Sequence, residues 1–190
     1  MMSRPAPVLI GFFPKKTARP DAWFGKTSVE EVCSVSNCIS SGPDDWTNLW
    51  KHNTTWWLFD TEEAAWQVVG EDRRAYDMYA YRLFPVVFDG SNVSPLTVEP
   101  STTGDLSGYD FLGYDLVSHE EGALEFEFTS GHSPLSCNHG FDQFPVNRFC
   151  LLDDLDAAWR ITGEIACDAK VKRSWEPGPY YLCEVHRKRK

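Results

Sequence analysis

The sequence predicts an α+β fold: a mixed sheet flanked by helices, built from two related halves packed as one domain over residues 1–190. Three observations predict it. Asn53 to Trp66 is echoed by Asn147 to Trp159, and the spacing from Asp60 and from Asp153 to the following Ala-Ala-Trp is identical. A small polar motif precedes each copy, Val35-Ser36-Asn37-Cys38 in the first and Leu135-Ser136-Cys137-Asn138 in the second. Apolar runs lead each half (Val8–Phe13, Phe111–Val117), and aromatic runs close it (Tyr79–Val86, Tyr180–His186). An internal repeat at 8–88 and 109–188, joined by a loop at 89–108, accounts for all three.

The elements follow in order. Each half reads as a leading strand, a loop carrying the Ser/Asn/Cys motif, a short strand, a helix and a returning strand, the strands resting on β-branched and aromatic runs bounded by Gly, Pro and Asn. In the first helix Asp60 or Thr61 can cap the N-terminus, and Glu62 and Glu63 suit the positive end of the dipole. Ala64, Ala65, Trp66, Val68 and Val69 supply its apolar stripe. Asp153, Asp154 and Asp156 repeat that start in the second half, with Leu155, Ala158, Trp159 and Ile161 turned inward. Asp89–Leu106, rich in Gly, Ser, Asn, Pro and Thr, reads as a connection, and Glu176-Pro-Gly-Pro179 as a turn before the last strand. Each half is about 90 residues, marginal for a core of its own, so one domain is expected rather than two.

Composition narrows the function. A hydrophobic share of 42% with eight Trp, seven Tyr and twelve Phe excludes disorder and supplies large core and interface side chains. The apolar run Val8–Phe13 is too short for a signal-peptide core or a membrane span, so a cytoplasmic location is expected, with the six cysteines reduced. A net charge of −10 repels nucleic acid and anionic lipid and favours a basic protein surface. The basic cluster His186–Lys190 is expected to be a solvated end of the chain.

No Walker loop, dinucleotide fingerprint, zincin helix, nucleophile elbow or kinase signature is present. Ser133–Gly140 gathers a hydroxyl, a thiol, an amide and an imidazole. Cys137 with His139 would make an activated nucleophile if the imidazole lowered the thiol pKa. The other reading is a turn in which Ser136 and Asn138 cap backbone groups and Cys137 packs as a small hydrophobe. The Cys and His spacings lack the paired Cys-x2-Cys of structural zinc sites, so neither metal nor cofactor is expected. Glu184 alternates among apolar neighbours, where a carboxylate wants either an Arg or Lys partner or a catalytic purpose. Trp46 and Trp50 fall four apart beside Asp44 and Asp45, and could dock on the core or on a partner. The candidate binding residues are therefore Ser136, Cys137, Asn138, Trp46, Trp50, Asp44 and Asp45; were the chain an enzyme, Cys137, His139 and Glu184 would be its catalytic candidates.

Two resemblances add to this. Trp56–Val69, a strand leading to an Asp-Thr-Glu-Glu-Ala-Ala helix start, resembles the second conserved block of ADP-ribosyltransferases, and Tyr79–Val87 resembles their following strand. Val8–Lys15 departs from that family in offering no His or Arg where such enzymes hold their cofactor. As a small, acidic, Trp-rich and motif-poor chain, the protein is similar in character to the bacterial immunity proteins that neutralise polymorphic toxins. That likeness implies a protein partner with a basic surface and no catalytic residue to carry over. The expected function is recognition of a macromolecular partner as an immunity protein or inhibitor; the alternative is an enzyme with an ADP-ribosyltransferase-like or Cys/His-based site between the halves.

Overall fold

The opening apolar run becomes strand β1, Val8–Lys15, buried from Leu9 onward. The computed structural model describes residues 4–20, 28–39, 41–43, 56–101, 105–118, 131–172 and 175–190. After β1 come α1 (Glu62–Val69), β2 (Asp77–Leu83), β3 (Val86–Asp89), β4 (Asn92–Pro95), β5 (Tyr109–Ser118), α2 (Leu155–Lys172) and β6 (Tyr180–Lys188).

The last strand lies in the middle of the sheet. β6 pairs along one edge with β2, from Tyr79↔Arg187 to Leu83↔Cys183, and along the other with β5, from Tyr109↔Lys188 to Ser118↔Tyr180. β1 lies outside β2. β3 touches β6 through Phe88↔Tyr180 and carries β4 as a hairpin. Every pairing among the described strands is antiparallel, where a mixed sheet was expected. The reason is that the leading and closing strands on each side pair directly with each other, and the two closing strands then pair with their own directions opposed.

β6 is covered on both faces, and its alternation sorts two apolar clusters. Tyr181, Cys183 and Val185 join Ile10, Phe12, Tyr79 and Tyr81, with Ala65 of α1 in the same cluster. Tyr180 and Leu182 instead join Ala158, Ile161 and Ile165 of α2. Of the stripe expected on α1, Ala65 is buried, and Ala64, Trp66 and Val68 pack part-buried against the core.

Several local geometries occur twice. β1 bulges between Leu9 and Gly11, and β5 between Phe111 and Gly113. The two glycines have φ of 149° and 144°, a region that L side chains avoid. A Cβ on Gly11 would stand 2.6 Å from Leu58 Cβ, and one on Gly113 would stand 2.8 Å from Leu151 Cβ. Phe12 bridges Phe59, and Tyr114 bridges Leu152. These isolated bridges stand where short strands were expected. Trp57 and Cys150, three residues before Asp60 and Asp153, have φ of 59° and 61°. Thr61 Oγ1 accepts from Ala64 N at 3.1 Å, and Asp154 Oδ1 accepts from Ala157 N at 2.7 Å, so the caps are Thr61 and Asp154.

Two expectations need correction. The connection at 89–108 is not wholly irregular, because Asn92–Pro95 pairs back on β3. The basic end is a solvated tail only in part, since Lys188, Arg189 and Lys190 are exposed but every one of these residues is tied down. His186–Lys188 lies within β6, and Arg187 reaches Glu31 at 2.7 Å, Lys188 Glu62 at 2.6 Å, Arg189 Asp110 at 2.6 Å and Lys190 Asp77 at 3.0 Å. The central strand recruits His186, Arg187 and Lys188, and the surrounding acidic chain supplies a carboxylate to each of the four cations at 187–190.

Candidate functional site

Two buried charges organise the loops that carry the repeated motif. Lys15 ends β1 at 1% exposure, and its three ammonium protons go to the carbonyls of Ser34, Val35 and Ser36 at 2.8, 2.9 and 2.7 Å. Asp115 of β5 is fully buried and grips the same loop from the other side. One carboxylate oxygen accepts from Ser34 Oγ and Val35 N, both at 2.8 Å; the other accepts from Ser133 Oγ at 2.6 Å and Leu116 N at 2.9 Å. Burial pulls the Lys15 pKa down to about 7 and pushes that of Asp115 up, while the four hydrogen bonds to Asp115 oppose its rise. Two buried ions cost several kcal/mol of desolvation in general, so full hydrogen bonding of both is required for them to persist.

What they position is a cluster of thiols and an imidazole. Within the first loop, Ser34 Oγ accepts from Ser36 N and Ser36 Oγ from Cys38 N, which curls the chain so that Cys38 turns outward. The second loop closes through Cys137 N to Ser133 O, Gly140 N to Pro134 O and Phe141 N to Leu135 O. His132, one residue before it, is tied to the end of β5 by Ser118 N donating to its carbonyl at 2.9 Å. The outcome is that Cys38 Sγ, Cys137 Sγ and a ring nitrogen of His132 all lie within 4.8 Å of one another. Cys38 Sγ is 3.3 Å from His132 Nδ1, and the Cys137 thiol donates to Ser36 Oγ at 3.3 Å.

The two thiols are unequal. Cys38 is exposed, and its pKa is pulled down to about 5, first by the neighbouring Cys137 thiol and then by Ser36 and His132, against its partial burial. Cys137 moves up, first because the neighbouring Cys38 favours its protonated form and then because it is more deeply buried. Cys33, Cys150 and Cys183 are buried, and burial pushes Cys33 up to about 11 and the other two higher still. Those three are packing residues.

The residues singled out from sequence divide accordingly. Ser136 is buried with its hydroxyl 3.8 Å from Cys137 Sγ. Asn138 Nδ2 reaches Glu176 at 3.5 Å, and its buried Oδ1 has no hydrogen-bond partner among the described residues. His139 does not partner Cys137. It sits at φ 59° ahead of the 3-10 turn Gly140–Asp142, its ring 5.2 Å from Phe141 and its Nδ1 3.9 Å from Asp142. A neighbour two residues along a tight turn points away, which is why the imidazole at the cluster is His132. Glu184 also lies apart from Cys137, bound across the strands by Arg82 at 2.9 Å and beside His186 at 3.1 Å. That is the ion-pair alternative of the two foreseen for it. Trp46, Trp50, Asp44 and Asp45 lie outside the described residues.

Cys38, His132, Lys15 and Asp115 were missed as site residues. Asp115 carried the same signal that drew attention to Glu184, a carboxylate in an apolar strand, and Lys15 ends a run with no other charge. With this geometry in hand, comparison with known proteins finds no match to any protein-family model, curated protein or solved structure.

Proposed function

We propose that the chain works through a dithiol redox centre at the meeting point of its two motif loops, which is the Cys/His form of the enzyme alternative. The convergence of Cys38, Cys137 and His132 carries this reading. An accessible thiol beside an imidazole and a second, resolving thiol is the arrangement that oxidation-responsive sites use. Cys38, the exposed sulfur, attacks the terminal oxygen of a hydroperoxide as a thiolate, with His132 placed to take its proton. The O–O bond breaks, the alcohol or water leaves, and Cys38 becomes a sulfenic acid. The Cys137 sulfur then displaces hydroxide, which leaves as water with the thiol proton, and a disulfide joins the loops. An external dithiol reverses it.

The test is peptide mapping of the reduced protein after stoichiometric peroxide. A Cys38–Cys137 disulfide is expected, with sulfenic acid trapped at Cys38 when Cys137→Ser removes the resolving thiol. Oxidation of Cys38 no faster than that of part-buried Cys167 overturns the reading.

We further propose that residues 8–88 and 109–188 descend from one duplicated unit. The paired bulges, paired left-handed residues and paired caps support it. On this reading the cluster arose because each copy brought its own small polar loop to the junction.

A second reading, an acidic surface that binds a basic macromolecule in the manner of an immunity protein, is favoured by one observation. The cations at 187–190 are already held in ion pairs, so the excess negative charge of the chain falls elsewhere on its surface. Salt-sensitive co-purification of a basic partner is the expected result, and the absence of any salt-sensitive partner would remove this reading.

A further inference from the structure

The same cluster has the donor set of a soft-metal site. We propose that Cys38 Sγ, Cys137 Sγ and His132 Nδ1 bind one zinc ion with a fourth coordination position open to solvent. The inference rests on the same three side chains as the redox reading but not on any redox step.

Geometry comes first. Around tetrahedral zinc, with bonds of about 2.3 Å to sulfur and 2.0 Å to nitrogen, donors stand roughly 3.5–3.8 Å apart. Here Cys38 Sγ and His132 Nδ1 are already 3.3 Å apart, and no pair in the cluster exceeds 4.8 Å. Closing on an ion asks for side-chain adjustments of about an ångström, within rotamer freedom and without backbone movement.

The surroundings are those a metal requires. Ser36 Oγ, which now accepts from the Cys137 thiol, can reverse its role and donate to a metal-bound thiolate. The carbonyl of His132 accepts from Ser118 N and, at 3.2 Å, from Ser118 Oγ, which fixes the ligand's backbone to the end of β5. Lys15 and Asp115 hold the first loop from both sides, and Asp115 also holds Ser133, next to His132. Three protein ligands are thus set on two braced loops. The exposure of Cys38 leaves the remaining position facing water, the pattern of zinc sites that bind a water or a substrate rather than purely structural ones.

Sequence spacing hid this site because its ligands come from segments about a hundred residues apart, one each side of the chain's middle. No Cys-x2-Cys pair is needed when the sheet itself brings two loops together.

Cobalt titration of the reduced full-length protein provides the test, read by optical absorption. A thiolate-to-cobalt charge-transfer band with tetrahedral d–d bands, saturating at one equivalent and displaced by zinc, is the expected result. Cys38→Ser and Cys137→Ser should each abolish the tetrahedral spectrum, His132→Ala should weaken binding at least tenfold, and Cys167→Ser should leave it unchanged. Near-UV circular dichroism checks that each variant is folded. In the wild type, zinc should protect Cys38 from iodoacetamide, a readout needing no variant. Absence of the band, its survival in Cys38→Ser, or no protection of Cys38 overturns the proposal. Peroxide-driven disulfide formation without a cobalt band sinks only the metal site. A cobalt band without disulfide formation in the metal-free protein sinks only the redox reading.

Discussion

Two and four places after its bulge glycine, β1 carries Phe13 and Lys15; at the same two places β5 carries Asp115 and Val117. All four are buried. The strand frames match, yet one supplies a cation and the other an anion, and both charges act on the loop at 34–36. Only Asp115 also reaches the second loop, through Ser133. The difference teaches that the site is not two copies of one device. It is a single device divided between two similar frames, so neither segment can set its own loop without the other.

Substitutions can break that comparison, beginning with the anion. Asp115→Ala leaves four donors without an acceptor and removes the anion nearest the buried Lys15 charge, and should cost about 3–5 kcal/mol in denaturant unfolding. Lys15→Met, which strands three carbonyls, should cost less, about 2–4 kcal/mol. The double variant should fall short of the summed losses by about 1 kcal/mol or more, because each change removes part of what the other needed. Full additivity would mean that the two charges brace the loops independently.

The bulge glycines sharpen it next. Gly11→Ala and Gly113→Ala each force a Cβ against a Leu Cβ and a backbone carbonyl, and each should cost about 1–3 kcal/mol. Equal costs are expected, and a gap above about 1 kcal/mol would show that the two frames are held differently.

A pH series then isolates the cation. Burial holds Lys15 near 7 when folded, against an ordinary 10.5, so between those values the unfolded chain binds a proton that the folded chain lacks. Stability should therefore rise with pH above 7, by about 1.5 kcal/mol between pH 7 and 8.5 from this group. The lowered pKa of Cys38 adds a slope of the same sign, so the measurement is the difference between wild type and Lys15→Met. An identical slope in both removes Lys15 as its source. The smallest effects are at the caps, where Thr61→Ala and Asp154→Ala should each lose about 1 kcal/mol.

The elements legible in the sequence were those fixed by local rules. Asp or Thr ahead of Ala-Ala-Trp marked both helix starts, and the aromatic runs at Tyr79 and Tyr180 became β2 and β6. Strand direction was not legible, since it depends on which strands become neighbours. Within the site, Cys137 and the small polar turn could be found from residue types packed into one stretch. Cys38 could not, because its relation to Cys137 exists only after the sheet has drawn the two segments together, and His132, in the same segment as Cys137, stands just before the stretch that drew attention. The choice of His139 failed for the same reason in reverse: closeness in sequence was mistaken for closeness in space.

Placing β6 at the centre of the sheet also has a consequence for how the polypeptide is made. Residues 180–188 follow every other described strand in the chain, yet both β2 and β5 depend on them for an edge partner. A ribosome-bound chain halted before that point can zip β1 to β2 and pack α1, but it presents two unmatched strand edges to every neighbour. Closure is thus postponed until β6 itself has left the ribosome. Any fragment lacking those nine residues should be a client of chaperones rather than a smaller working protein.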